Sequence, residues 1–199
     1  MTALKKTTFT VALFLSLAGF GQHNSFLSRL ADSALRLTHN SVVYDPAYYT
    51  IGYPNGDVPA GRGVCTDVII RAYRKVGIDL QKEVHTDMKT HFHLYPKIWG
   101  LKQPDKNIDH RRVPNLMTYF ERAGAQQPIS NEASDYLPGD VVCWDLGKGV
   151  THIGLVSKLK SADGKRHLII HNIGAGQVVE DCLQSFTIIG HYRYHSHRE

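Results

Sequence analysis

The chain has 199 residues, 42% of them hydrophobic, with a formal net charge of +5 and three cysteines. That length suits one well-packed domain and is too short for two comfortable ones. The basic residues behind the charge are scattered and lack interleaved aromatics, which argues against a nucleic-acid-binding face; attraction to an anionic envelope polymer accounts for the charge more economically.

The first 21 residues stand apart from the rest. Lys5 and Lys6 precede an apolar run from Phe9 to Phe20, and Gly19 and Gly21 supply small residues where a signal peptidase cuts. This is the layout of a secretory signal peptide over residues 1–21, its apolar part too short for a membrane span, with no following cysteine for lipid attachment. The expectation is export, to the periplasm or beyond the cell, with residues 22–199 forming one domain. Outside the cytoplasm disulfides persist, and an odd cysteine count leaves at least one thiol over. Either Cys143 and Cys182 pair and leave Cys65 free, or both are small buried residues in strands.

Phe26, Leu27, Leu30, Ala31, Ala34, Leu35 and Leu37 recur at helical spacing and predict an amphipathic helix ending near His39. Residues 44–63 combine several tyrosines with Pro46, Pro54, Pro59 and repeated glycines, a loop composition that leads into a second helix from Cys65 to about Gly77. Residues 85–112 hold four histidines, two prolines and Trp99 with little periodicity, which predicts a long irregular insertion. A short helix follows from Pro114 to Gly124. Beyond Leu137, turn signals alternate with β-rich runs: Asp140 to Trp144, Thr151 to Lys158, Arg166 to Asn172, Gln177 to Asp181 and Ser185 to Tyr194. Helices first and strands joined by short turns afterwards make an α+β domain with an antiparallel sheet.

The chemistry begins at Gly63-Val64-Cys65-Thr66-Asp67. A cysteine at a helix N-terminus meets unpaired backbone N–H groups and the positive end of the helix dipole, both of which favour thiolate, so a lowered pKa is expected for Cys65. Two histidines on neighbouring strand patterns, His152 and His171, complete what a cysteine nucleophile needs: an imidazole base and a polar group to fix its tautomer. A strand slip of one residue would give the orienting role to Asn172 instead.

These residues resemble a known family over much of the mature chain. Cys65 opening a helix that ends in Lys75-Val76-Gly77-Ile78, then Leu137-Pro138-Gly139-Asp140-Val141-Val142, His152-Ile153-Gly154-Leu155-Val156 and Ile169-Ile170-His171, resembles the NlpC-type papain-like peptidases. With Asn107-Ile108-Asp109-His110-Arg111-Arg112 and His171-Asn172-Ile173-Gly174 included, the set is more similar to a family of exported bacterial proteins of undefined activity placed in that superfamily. The resemblance implies a papain-like (NlpC-type) fold, helices packed on an antiparallel sheet, and cleavage of amide bonds in peptidoglycan stem peptides. Carried over by position, Cys65 matches the nucleophile, His152 the base and His171 the orienting residue. NlpC-type enzymes usually carry aspartate before the nucleophile and Ser-Gly after it; here Val64, Thr66 and Asp67 stand there, so the catalytic core matches better than the substrate subsites.

For substrate contact the candidates are Tyr53 and Asp57 in the loop before the nucleophile, Asp67, Arg111 as a bidentate partner for a carboxylate, and Asn172. The histidines His85, His91, His93, His191, His195 and His197 match no zinc pattern, and no nucleotide fingerprint is present, so neither metal nor cofactor is expected. The sequence reading is therefore an exported cysteine hydrolase whose partner is peptidoglycan or another envelope peptide, with peripheral envelope association allowed and the oligomeric state left open. Its rivals are acyl transfer or hydrolysis on another envelope substrate at the same Cys-His site and a non-catalytic envelope-binding module.

Overall fold

A computed structural model describes residues 26–195. The expected signal peptide at residues 1–21 lies outside the described residues, as does His197. Among the described residues no helix is long and apolar enough to cross a membrane.

The described residues form an α+β fold, with four α-helices and a five-stranded antiparallel sheet among them. The first helix, α1 (26–37), buries Leu27, Leu30, Ala31, Ala34 and Leu37 along one stripe, as their spacing requires. A short parallel pair, β1 (Val43–Tyr44) and β2 (Arg62–Gly63), ties the ends of the tyrosine-rich loop together. Next comes α2 (Cys65–Lys75), whose first six residues are all buried. Its stop is written locally: Gly77 adopts φ +93°, and the N–H groups of Gly77 and Ile78 return to the Arg74 and Tyr73 carbonyls.

The predicted irregular insertion is half wrong. Residues Leu80–His91 form helix α3, opened by Asp79, whose carboxylate accepts from the Gln81 and Lys82 N–H groups. Leu80, Val84 and Met88 recur every four residues and are buried; reading the segment from His85 onward split that stripe. The rest, through the 3-10 turns Phe92–Leu94 and Asp109–Arg111, is irregular as expected, and α4 (Val113–Arg122) follows with Pro114 in its first turn.

The sheet comprises β3 (Val141–Asp145), β4 (Thr151–Lys160), β5 (His167–His171), β6 (Val178–Glu180) and β7 (Thr187–Tyr192) in the order β6-β5-β4-β3-β7. Every pairing is antiparallel. Val141, Cys143, Ile153, Leu155, Ile170 and Tyr192 face the helices and share a core with Val68, Ile69, Tyr73, Leu116 and Phe120. Strand alternation sends Val142, Trp144, Val156 and Ile169 to the other face, where Tyr136 and Leu183 cover them. His152 and His171 belong to this second face, since His152 is paired with Trp144 and His171 follows Ile170.

Candidate active site at the open end of the sheet

The β4–β5 ladder runs only as far as the Leu155–Ile170 pair. Val156 exchanges bonds with Gly139 and Asp140 before β3, so its peptide groups point toward β3. Three residues back, alternation turns the Ile153 N–H toward β5. At that level β5 has ended, and Asn172 donates from Nδ2 to the Gly63 carbonyl (3.2 Å). The N-terminus of α2 fills the opening. The Ile153 N–H donates to the Cys65 sulfur, as does the Thr66 N–H. The nucleophile candidate thus rests against the peptide that joins His152 to Ile153, while strand alternation sends the His152 side chain to the other face of the sheet. Among the described residues no hydrogen bond joins the thiol to the imidazole, a common state before substrate binds.

From His152 the polar chain continues. Its Nε2 lies 2.8 Å from His171 Nδ1, the rings meeting edge to face with centroids 5.1 Å apart. On its far side, His171 Nε2 lies 3.0 Å from the Glu180 carboxylate. A carboxylate only accepts, so neutral His171 donates from Nε2 and keeps a lone pair on Nδ1. That lone pair takes the Nε2–H of His152 and leaves His152 Nδ1 unprotonated, the form a general base requires. Of the two residues left open for the orienting role, His171 is the one that meets His152; Asn172 bonds the Gly63 carbonyl and the N–H of Gly174.

Gly154, between His152 and Leu155, makes room for this arrangement. A Cβ there would stand 2.6 Å from Ile169 Cγ2, 3.2 Å from the Trp144 ring and 3.3 Å from His171 Cβ. Trp144 walls the pair on the β3 side, its ring 5.9 Å from that of His152.

The electrostatics correct one expectation. The Cys65 side of the site is only 6% exposed, and burial pushes the thiol up to about 11 in spite of the N–H groups aimed at the sulfur. Desolvation outweighs the helix terminus here, so the resting thiol is protonated. Burial, then the charge of His171, presses His152 down to about 4, so the base is neutral.

Most of the expected substrate contacts are structural. Asp67 accepts from the Val64 N–H (2.7 Å) and holds a bidentate pair with Arg111, both contacts at 3.0 Å. Arg111 also donates to the Ala47 and Asp45 carbonyls, so the buried pair locks the α2 N-terminus to two loops and spends four of the five guanidinium N–H groups inside the protein. Asp57 pairs with Arg71 and Arg74, at the opposite end of α2 from Cys65. Tyr53 stands edge-on to His85 on α3 and under Lys106. The tyrosine that does flank the thiol is Tyr44: it pairs with Gly63 in the short sheet, is 41% exposed, and has its hydroxyl pKa raised by burial and then by Cys65 and Asp67.

All three cysteines are free. Cys143 packs with Cys65 in the helix-side core, whereas Cys182 packs on the second face, which rules out the Cys143–Cys182 disulfide. Cys182 Sγ lies 3.7 Å from His171 Nε2. With Glu180 these residues are the one group of three metal-ligand side chains among the described residues whose donor atoms fall within 4.8 Å of one another. Sequence reading missed Glu180 and Cys182 because neither spacing nor motif marks them; the β5–β6 register, which sets His171 opposite Val178, brings both to His171.

A family model described as a domain of unknown function, DUF1287, matches residues 31–194, a span that holds every residue of this site. The chain is 53% identical over 165 residues to "Uncharacterized protein YijF" of Escherichia coli (strain K12), covering 83% of this chain and 80% of that protein. No solved structure matches the chain.

Proposed function

The chain belongs to the DUF1287 family, and from that premise and the site's geometry we propose that it is an exported cysteine hydrolase of papain-like, NlpC-type architecture that cleaves an amide bond in peptidoglycan stem peptides. The observation that supports the reading is the relay Glu180–His171–His152, carried by the strand whose Ile153 N–H faces the Cys65 sulfur at a helix N-terminus.

In this mechanism the Cys65 sulfur attacks the amide carbonyl while its proton passes to His152 Nδ1. The imidazolium that forms is stabilised through His171 by the Glu180 carboxylate. The oxyanion is met by backbone N–H groups at the start of α2, and the half-exposed Tyr44 borders the approach. His152 then protonates the leaving amine, and water releases the acyl group from sulfur. Because Asp67 and Arg111 are committed to each other, the substrate's charged groups must be read by other side chains.

The test is mass spectrometry of purified peptidoglycan fragments incubated with the protein and with Cys65→Ala. Cleavage by the wild type alone supports the hydrolase; no cleavage across stem-peptide and cross-link variants removes it. One observation favours a second reading, a non-catalytic envelope-binding module: the thiol is buried and held protonated. Retention of fragments without turnover, undiminished in Cys65→Ala, would select it.

A further inference from the structure

We propose that His171, Glu180 and Cys182 form a binding site for a zinc-like divalent ion, and that filling it switches off the Cys65–His152 pair by reversing the tautomers of both imidazoles. The first half stands without the hydrolase reading; the second half rests on it.

The donor set is an imidazole, a carboxylate and a thiol, the borderline-soft combination that suits zinc. Tetrahedral bonds to nitrogen and sulfur place those two atoms about 3.5 Å apart. His171 Nε2 and Cys182 Sγ are already 3.7 Å apart, and Glu180 Oε2 lies 3.0 Å from the same nitrogen. Widening the last contact by a few tenths of an ångström would admit the ion. His171 is held in place by His152, as zinc-bound histidines are held by a partner on their other nitrogen. Access exists: the Glu180 side chain is 46% exposed and Cys182 is partly exposed, so an ion enters from the β6 edge without opening the core. Asp181, next in sequence, is engaged by Arg166 and does not compete for the site.

The consequence follows from proton bookkeeping. In the metal-free protein each imidazole carries one proton, on Nε2. A metal on His171 Nε2 takes the lone pair there, so the His171 proton must sit on Nδ1 and be donated to His152 Nε2. His152 then carries its proton on Nδ1 and has no lone pair for the Cys65 thiol. The imidazoles keep one proton each; the one proton released overall comes from the Cys182 thiol, which becomes the metal-bound thiolate. Glu180 therefore serves two exclusive states, orienting the relay when the metal is absent and coordinating it when present.

Zinc titrated into the metal-free protein against a chromophoric chelator is expected to bind at one ion per chain, and cobalt(II) in its place to give a thiolate-to-metal absorption. Cys182→Ser should remove that absorption and weaken zinc binding about tenfold or more, and Cys65→Ala should change neither. Absence of binding, or binding that survives Cys182→Ser unchanged, overturns the site. If that variant does not fold, alkylation of Cys182 in the native protein decides: protection by zinc supports the site and its absence overturns it. Nitrogen-15 NMR of the histidine rings tests the coupling. Zinc should move the His152 proton from Nε2 to Nδ1, and an unmoved proton overturns the switch. None of these readouts needs a substrate, so their failure is distinct from failure of the hydrolase reading, which the peptidoglycan digestion decides.

Discussion

Burial acts on Cys65 and His152 in opposite directions, raising the thiol and lowering the imidazole, so the resting site holds two neutral groups. Alkylation of native Cys65 by iodoacetamide should accordingly be slow near neutral pH and accelerate as pH climbs toward 11, the value to which burial pushes the thiol. Rapid alkylation at pH 6 would instead reveal a preformed thiolate–imidazolium pair. Removing the base by His152→Ala should lower turnover by about 10²–10⁴-fold, read as kcat with little change in KM. Gly154→Ala is expected to cost about 1–3 kcal/mol, seen as a lowered urea midpoint, because its Cβ would press on Ile169 and on the back of His171. Cys65, His152 and His171 were legible as candidates from residue type and flanking pattern. The protonation of Cys65 was not, since the helix terminus is visible in a sequence whereas the depth of desolvation is a property of the packed core.

Among the elements, α2 is the one on which the site depends, and its N-terminus is anchored by the buried Asp67–Arg111 pair. Asp67→Ala would leave an unpaired guanidinium in the interior and should destabilise the fold by about 3–5 kcal/mol, measured by urea denaturation. Were Arg111 a substrate ligand instead, the same substitution would change KM and leave the midpoint in place. Helix and strand existence was readable because each amphipathic stripe repeats at its own period, as in Val68, Ile69, Ala72 and Tyr73 of α2. The helix Leu80–His91 was lost because its three apolar residues are diluted by histidine, lysine and glutamate, leaving the Asp79 cap as the clearest signal. Asp57 and Arg111 were misassigned for a related reason: a charged residue near a nucleophile looks the same in sequence whether it meets a ligand or another side chain.

Across the whole molecule, a buried charge cluster ties the start of the sheet's central strands to the end of the chain's last strand. Asp140, fully buried, accepts from His191 Nε2 (2.8 Å) and from Arg193 (2.7 Å), joining the turn before β3 to the last strand. Burial alone would raise its pKa, but the bonds from His191 and Arg193 outweigh this and hold the carboxyl below its ordinary 3.8. A depressed carboxyl stabilises the fold above its unfolded pKa, and that contribution fades as pH falls through the native value. Stability to urea should hold from pH 7 to 5 and drop below about pH 4, and Asp140→Asn should flatten the drop. By itself the sequence determined the five strands of the main sheet and three of the four described helices, and it singled out Cys65, His152 and His171 as candidates, because periodicity, caps and residue chemistry are local. Tertiary structure alone decided which groups meet: sheet packing put Cys143 and Cys182 on opposite faces and brought Glu180 to His171, and the packing of the Asp109–Arg111 turn on α2 paired Arg111 with Asp67. The physical reason is that a strand's two faces alternate by residue, so contacts between distant segments depend on a register set by packing of the whole domain.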